Sequence, residues 1–147
     1  MFTRSFLAGW GDMDFNGHMR NTAYLDKSAD LRMLFFAEHG FSTAEFARQR
    51  FGPVVRRDQV EYFREIHLLE EMQQSLAIAG LSEDGSRFSI RNDFFRADGE
   101  LAARVTSLGG WLDLAARRLI APPQGLLDAL KALPHTDDFE TLSSSLK

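Results

Sequence analysis

The chain of 147 residues contains no cysteine. That excludes a disulfide scaffold, a thiolate nucleophile and any cysteine-based metal site, and it is compatible with the cytosol. Tryptophan and tyrosine are scarce, two of each, whereas phenylalanine occurs thirteen times, which predicts a Phe-rich interior or an apolar pocket. No apolar run approaches membrane-spanning length, and the stretch between Arg4 and Asp12 is too short for the core of a secretory signal. The expectation is a cytoplasmic protein with no membrane partner. Positive charge is also in deficit. Lys and Arg number 17 against 21 Asp and Glu, a net charge of -4 with a pI near 5.5, which argues against nucleic acid as the main partner. Local arginines remain candidates for meeting a smaller anion: the pairs Arg56-Arg57 and Arg117-Arg118, with Arg87, Arg91 and Arg96.

What is present is ordinary globular composition, 44% hydrophobic and 26% charged, in a chain of one-domain length. No repeat, linker or low-complexity tract divides it. The expected division is a domain over 1–134 and a polar tail over 135–147, whose Ser143-Ser144-Ser145 should fray.

Phe2 to Trp10 reads as a strand. From Asn21 to His39 the apolar residues Tyr24, Leu25, Leu31, Leu34, Phe35 and Phe36 follow helical spacing, with small Ala23, Ser28 and Ala29 between them and Gly40 at the expected stop. This long helix should be largely buried, its small residues allowing a sheet close approach. A weaker helical piece covers Thr43 to Arg50, and strands begin after Gly52-Pro53. Val60, Tyr62 and Ile66 alternate with polar residues. Leu76 to Leu81, a segment carrying Phe88, Ile90 and Phe94, and Leu101 to Leu114 continue the meander, joined by turns at Asp84-Gly85 and Asp98-Gly99. Gly109-Gly110 predicts a bulge or sharp curvature, and Gly125 to Leu133 a short helix. Strand, long helix, then a meander of about four strands implies an α+β fold with one sheet against one helix.

The most informative segment is Trp10-Gly11-Asp12-Met13-Asp14-Phe15-Asn16-Gly17-His18-Met19, followed by Arg20, Asn21 and Tyr24. It turns through Asn-Gly and opens the long helix, so it aims a carboxylate at a helix N-terminus, whose unpaired N–H groups favour developing negative charge. Asp12-x-Asp14-x-Asn16-Gly17 also matches the start of an EF-hand loop, but the twelfth position is Ala23 where a bidentate Glu is required, and the preceding residues read as a strand. A zinc or iron site on Asp12, Asp14 and His18 lacks a second histidine at ligand spacing. Asp12 and Asn16 read as turn residues. From the residues alone Asp14 is equally a cap or a functional carboxylate.

The same residues resemble the hotdog-fold acyl-CoA thioesterases of the 4-hydroxybenzoyl-CoA thioesterase type, in which a G-D-x-D-x-x-G segment precedes the helix, an Asn and a Tyr follow at this spacing, and an Arg recurs two turns on, here Arg32. The resemblance implies an antiparallel β-sheet wrapped around one long central helix, and hydrolysis of an acyl-CoA to free acid and CoA without a cofactor or metal. It implies Asp14 as catalytic carboxylate and a helix N-terminal amide near Asn21 as carbonyl polariser. His18, Tyr24 and Arg20 are substrate-binding or pocket-wall candidates, although the family often carries Asn where Arg20 stands. A homodimer or homotetramer is expected. The alternatives are a non-catalytic acyl-thioester binding module and a hotdog dehydratase or hydratase, which requires a well-placed helix histidine, whereas His39 lies at the far end. A different helix-plus-sheet pocket fold would leave the Asp14 to Tyr24 spacing unexplained.

Overall fold

Alternation of apolar and polar residues decides which face each strand buries. In the computed structural model, which describes residues 1–146, strand β4 (Arg87–Phe95) turns Phe88, Ile90, Asn92 and Phe94 inward and the residues between them outward. Strand β3 (Glu71–Ser82) buries Met72, Gln74, Leu76 and Ile78, and β5 (Leu101–Asp113) buries Ala103, Val105, Ser107 and Trp111. With β1 (Phe2–Leu7) and β2 (Phe51–Tyr62) they form an antiparallel sheet in the order β1-β3-β4-β5-β2, and a short β6 (Arg118–Ile120) pairs with β5. Against the inward face lies helix α1 (Ala23–Glu38), which buries Ala23, Tyr24, Ser28, Leu31, Phe35 and Phe36. This is the expected α+β hotdog architecture.

The core has two parts. One gathers Leu31, Phe35, Phe36, Phe88, Ile90 and Trp111, closed off by helices α2 (Thr43–Gln49) and α3 (Gln124–Ala132). The other joins Met19, Tyr24, Ile66, Met72, Phe94 and Val105 around the Asp12–Asp14 motif. Each buried Phe or Leu contributes roughly 2–3 kcal/mol relative to solvent exposure. A polar row crosses four strands under the middle of α1. Gln74 donates to the Lys27 carbonyl at 3.1 Å, Asn92 donates to Gln74 Oε1 at 2.7 Å, Arg32 donates to Ser107 at 3.2 Å, and Ser107 donates to Asp58 of β2 at 2.5 Å. Burial pulls the Arg32 guanidinium below its ordinary range, opposed by the Asp58 carboxylate.

Several expectations are corrected. Strand β1 ends at Leu7, and Trp10–Asp12 forms a single tight helical turn instead of extending it. Helix α1 starts at Ala23, two residues late, because Asn21 and Thr22 form the turn that enters it. Leu34 is 42% exposed despite its helical spacing. Ile66 is buried, but in the loop after β2 and not in a strand, and β2 begins at Phe51, ahead of Gly52-Pro53. Pro53 is tolerated because β2 is an edge strand. The bulge predicted at Gly109-Gly110 sits across the ladder, where the register slips between Val55 and Arg57 opposite Gly109 and Leu108. The fraying expected beyond Pro134 is also corrected. Strand β7 (His135–Leu142) runs parallel to β3, occupying residues 78–82 of that edge while β1 occupies 71–76. Its residues His135, Asp137, Asp138, Glu140 and Thr141 are exposed and Phe139 packs on the core, a pattern too sparse to read as a strand locally. Among the described residues no helix is long and apolar enough to cross a membrane.

Candidate active site

The motif loop is held by its own backbone and by the chain after β2. Met13 bridges Met19, the Asp14 N–H donates to the His18 carbonyl at 2.8 Å, and the Met19 N–H donates to the Ile66 carbonyl at 2.8 Å. Gly17 adopts a φ of 80°, the left-handed value that this turn requires. Asp12 is structural. Its Oδ2 accepts from the Gly9 N–H at 2.9 Å and pairs with Lys27 at 3.0 Å. Burial raises its carboxyl, but those two donors outweigh it and hold the group below the usual range.

Asp14 is half-buried. Its Oδ1 accepts from the N–H groups of Asn16 at 2.9 Å and His18 at 3.2 Å, while Oδ2 carries no hydrogen bond among the described residues. A cleft of about 360 Å³ is lined by Asp14, His18, Asn21 and Tyr24, together with Tyr62, Phe63, Arg64 and Glu65 from the segment ending β2. The carboxylate and the start of α1 therefore border one space. The helix N-terminus is uncapped. Thr22 makes no side-chain cap bond because its Oγ1 accepts from Arg20 Nε at 3.0 Å, and the N–H groups of Asn21, Thr22 and Tyr24 have no acceptor among the described residues. Such donors at the positive end of a 16-residue helix suit an oxygen gaining charge.

Of the five residues singled out by sequence, Asp14, Asn21, His18 and Tyr24 come together. Arg20 does not: its guanidinium donates to the Gly11 carbonyl and to Thr22 and lies 3.8 Å from Asp26, bracing the loop outside the cleft. His18 packs edge-on against His67, ring centroids 5.2 Å apart. Tyr24 is 2% exposed and stacks edge-on to Tyr62 and Phe94 at 5.4 Å and 5.2 Å. Burial, with Tyr62 and nearby carboxylates adding, pushes its phenol up to about 12. Sequence reasoning missed Tyr62 and Arg64. The one signal for Tyr62 was scarcity, since the cleft takes both of the chain's tyrosines.

None of the arginines proposed for anion contact lines this cleft. Arg91 forms a two-pronged pair with Asp138 at 3.0 Å, Arg96 lies 3.7 Å from Glu70, and Arg87 donates to Ser143. A larger groove of about 800 Å³ runs over the opposite face of the sheet, but of its arginines Arg91 and Arg104 are committed to Asp138 and Asp93 and Arg96 lies beside Glu70, and no uncapped helix end reaches it. His39 sits at the far end of α1 with Nδ1 2.8 Å from the Phe35 carbonyl, away from the cleft.

A thioesterase-like superfamily model matches residues 8–130. The chain belongs to that superfamily. No curated protein sequence matches it. Among solved structures it is similar to the hypothetical protein SAV2348 from Staphylococcus aureus in complex with CoA, with a TM-score of 0.81, 22% identity, and coverage of 90% of this chain and 85% of that one. It is similar to Slr0204, a 1,4-dihydroxy-2-naphthoyl-CoA thioesterase from Synechocystis, with a TM-score of 0.79, 18% identity, and coverage of 90% and 96%. The gentisyl-coenzyme A thioesterase BH1999 matches with a TM-score of 0.77 at 17% identity, over 87% and 98% of the two chains. At these identities the structural likenesses establish a shared fold, and this superfamily member carries the motif loop and helix start at the cleft described above.

Proposed function

We propose that this protein hydrolyses an acyl-CoA thioester to the free acid and CoA at the cleft between Asp14 and the N-terminus of α1. The observation that carries this reading is the juxtaposition of one carboxylate, free at Oδ2, with the unpaired N–H groups of Asn21 and Tyr24, residues that line the same cleft. Two of the structurally similar proteins are named as 1,4-dihydroxy-2-naphthoyl-CoA and gentisyl-coenzyme A thioesterases and a third is bound to CoA, which supports an acyl-CoA substrate.

The chemistry follows from the parts. The thioester carbonyl oxygen is placed at the helix N–H groups, which stabilise the tetrahedral oxyanion; one such donor contributes on the order of 3 kcal/mol to the transition state. Asp14 takes a proton from water as the water oxygen bonds to the carbonyl carbon. The C–S bond then breaks, CoA leaves with the electron pair, and the proton held by Asp14 neutralises the thiolate or is lost to solvent. Alternatively Asp14 itself attacks, expelling the thiolate, and water opens the resulting anhydride. Asn21 contributes through its backbone, His18 and Tyr24 as cleft wall, and Arg20 as a brace.

A thiol-release assay over short, medium, long and aromatic acyl-CoAs, with Asp14→Asn beside the native protein, tests this. Turnover of at least one acyl-CoA is expected, lowered by orders of magnitude in the variant. The two N–H bonds on Oδ1 also favour a second reading, a non-catalytic acyl-thioester binding module in which Asp14 only shapes its turn. Saturable acyl-CoA binding without thiol release from either protein would establish it.

A further inference from the structure

Tyr62 is the last residue of β2, paired across the ladder with Ala103, and its hydroxyl donates to the Asn21 carbonyl at 3.0 Å. Asn21 and Thr22 precede the helix. The Leu25 and Asp26 N–H groups donate to the Thr22 carbonyl and the Ala23 N–H to that of Arg20, so no helical bond reaches the Asn21 carbonyl. Among the described residues the phenol of Tyr62 is its hydrogen-bond donor. That carbonyl belongs to Asn21, a cleft residue whose own N–H is unpaired, and to the same peptide group as the unpaired Thr22 N–H at the helix start. A peptide whose oxygen accepts a hydrogen bond is polarised and its N–H donates more strongly. The bond also fixes the plane of a peptide that the helix leaves free to rock.

We propose that Tyr62 is a positioning residue for the oxyanion donors, reaching from the edge strand to hold the Asn21–Thr22 peptide and, through it, the orientation of the Asn21 N–H at the cleft. This rests on the thioester hydrolysis proposed above. The ring is anchored for the task by its edge-on contact with buried Tyr24, so loss of the hydroxyl alone leaves the packing in place. Tyr62→Phe therefore separates the bond from the ring.

The experiment uses whichever acyl-CoA in the panel releases thiol fastest. Tyr62→Phe is expected to lower kcat about tenfold with KM within about twofold, because the bond acts on a donor used most in the transition state. The thermal midpoint should be that of the native protein. As a second readout, the infrared carbonyl stretch of the same thioester, carbon-13 labelled at the carbonyl and bound to Asp14→Asn, should move to higher frequency when Tyr62→Phe is added, reporting weaker polarisation. Native kcat in Tyr62→Phe, or an unmoved carbonyl band, overturns the inference while leaving the hydrolase reading intact. A loss of kcat matched by an equal loss of folded protein, again with an unmoved band, overturns it in favour of a packing role. Undiminished turnover in Asp14→Asn, or no thiol release from any acyl-CoA, overturns both readings together.

Discussion

At Asp14 the choice of substitution decides what is learned. Asn retains an Oδ1 that accepts from the Asn16 and His18 N–H groups, so Asp14→Asn should fold and melt as the native protein does while losing turnover. Asp14→Ala also removes two loop bonds, a cost of about 1–2 kcal/mol that would mix stability with chemistry. Parallel melting curves of the two variants check this. Tyr24 makes a separate prediction. Burial holds its phenolic proton in the folded protein to about pH 12, whereas an unfolded chain releases it near pH 10. Between those values the folded state binds more protons than the unfolded one, so stability falls as pH rises. Stability should be intact below pH 10 and decline from about 10 to about 12, and Tyr24→Phe should flatten that decline, as read by thermal melts across the range.

Among the secondary-structure elements, the ladder between β2 and β5 has the least tolerance. A Cβ on Gly109 would stand 2.2 Å from the Val54 carbonyl oxygen and 3.0 Å from the Phe88 ring, so backbone itself has to move. Gly109→Ala should lose on the order of 3 kcal/mol, seen as a lower denaturant midpoint. Gly11→Ala, where a Cβ meets nothing within 4 Å, should be nearly neutral. The contrast tests the bulge geometry directly, since both changes add the same methyl group. The polar row beneath α1 has a related logic: Gln74, Asn92 and Ser107 are fully buried, Asn92 bonds Gln74, Gln74 bonds the Lys27 carbonyl and Arg32 of the helix bonds Ser107, so the helix is seated at one register where a purely apolar stripe would permit sliding.

For the whole molecule, the open question is the sheet edge. Strand β2 is twelve residues long, pairs with β5 on one side and meets no strand on the other among the described residues, and it exposes Val55 and Tyr62. Long bare edges recruit partners. Two copies joined along β2 would bury that edge and set the two clefts at the subunit boundary, so size-exclusion chromatography with light scattering is expected to show a species of at least twice 16.6 kDa. A monomer at working concentration counts against it. At the other end of the sheet β1 covers β3 over residues 71–76 and β7 shields it over residues 78–82, with Phe139 packed on the core and Ser144 donating to Asp84. Ending the chain at Pro134 should therefore lower the melting temperature and promote aggregation, read by turbidity on heating.

Local physics made much of this legible without coordinates. The carboxylate, the Asn-Gly turn and the helix start are near neighbours, and strand faces follow a two-residue period, so the placing of Asp14 beside the helix start and the helix-then-meander order were readable along the chain, while the site roles of Asp14, His18, Asn21 and Tyr24 came from the family resemblance. Tyr62 joins the site from 41 residues beyond Asn21, Arg20 turns to a carbonyl nine residues back, and His135–Leu142 becomes a strand because β3 has an empty edge to offer. Those outcomes depend on sheet register and on which hydrogen-bonding groups remain unpaired once the layers pack. Neither quantity exists until residues far apart in the chain are brought together.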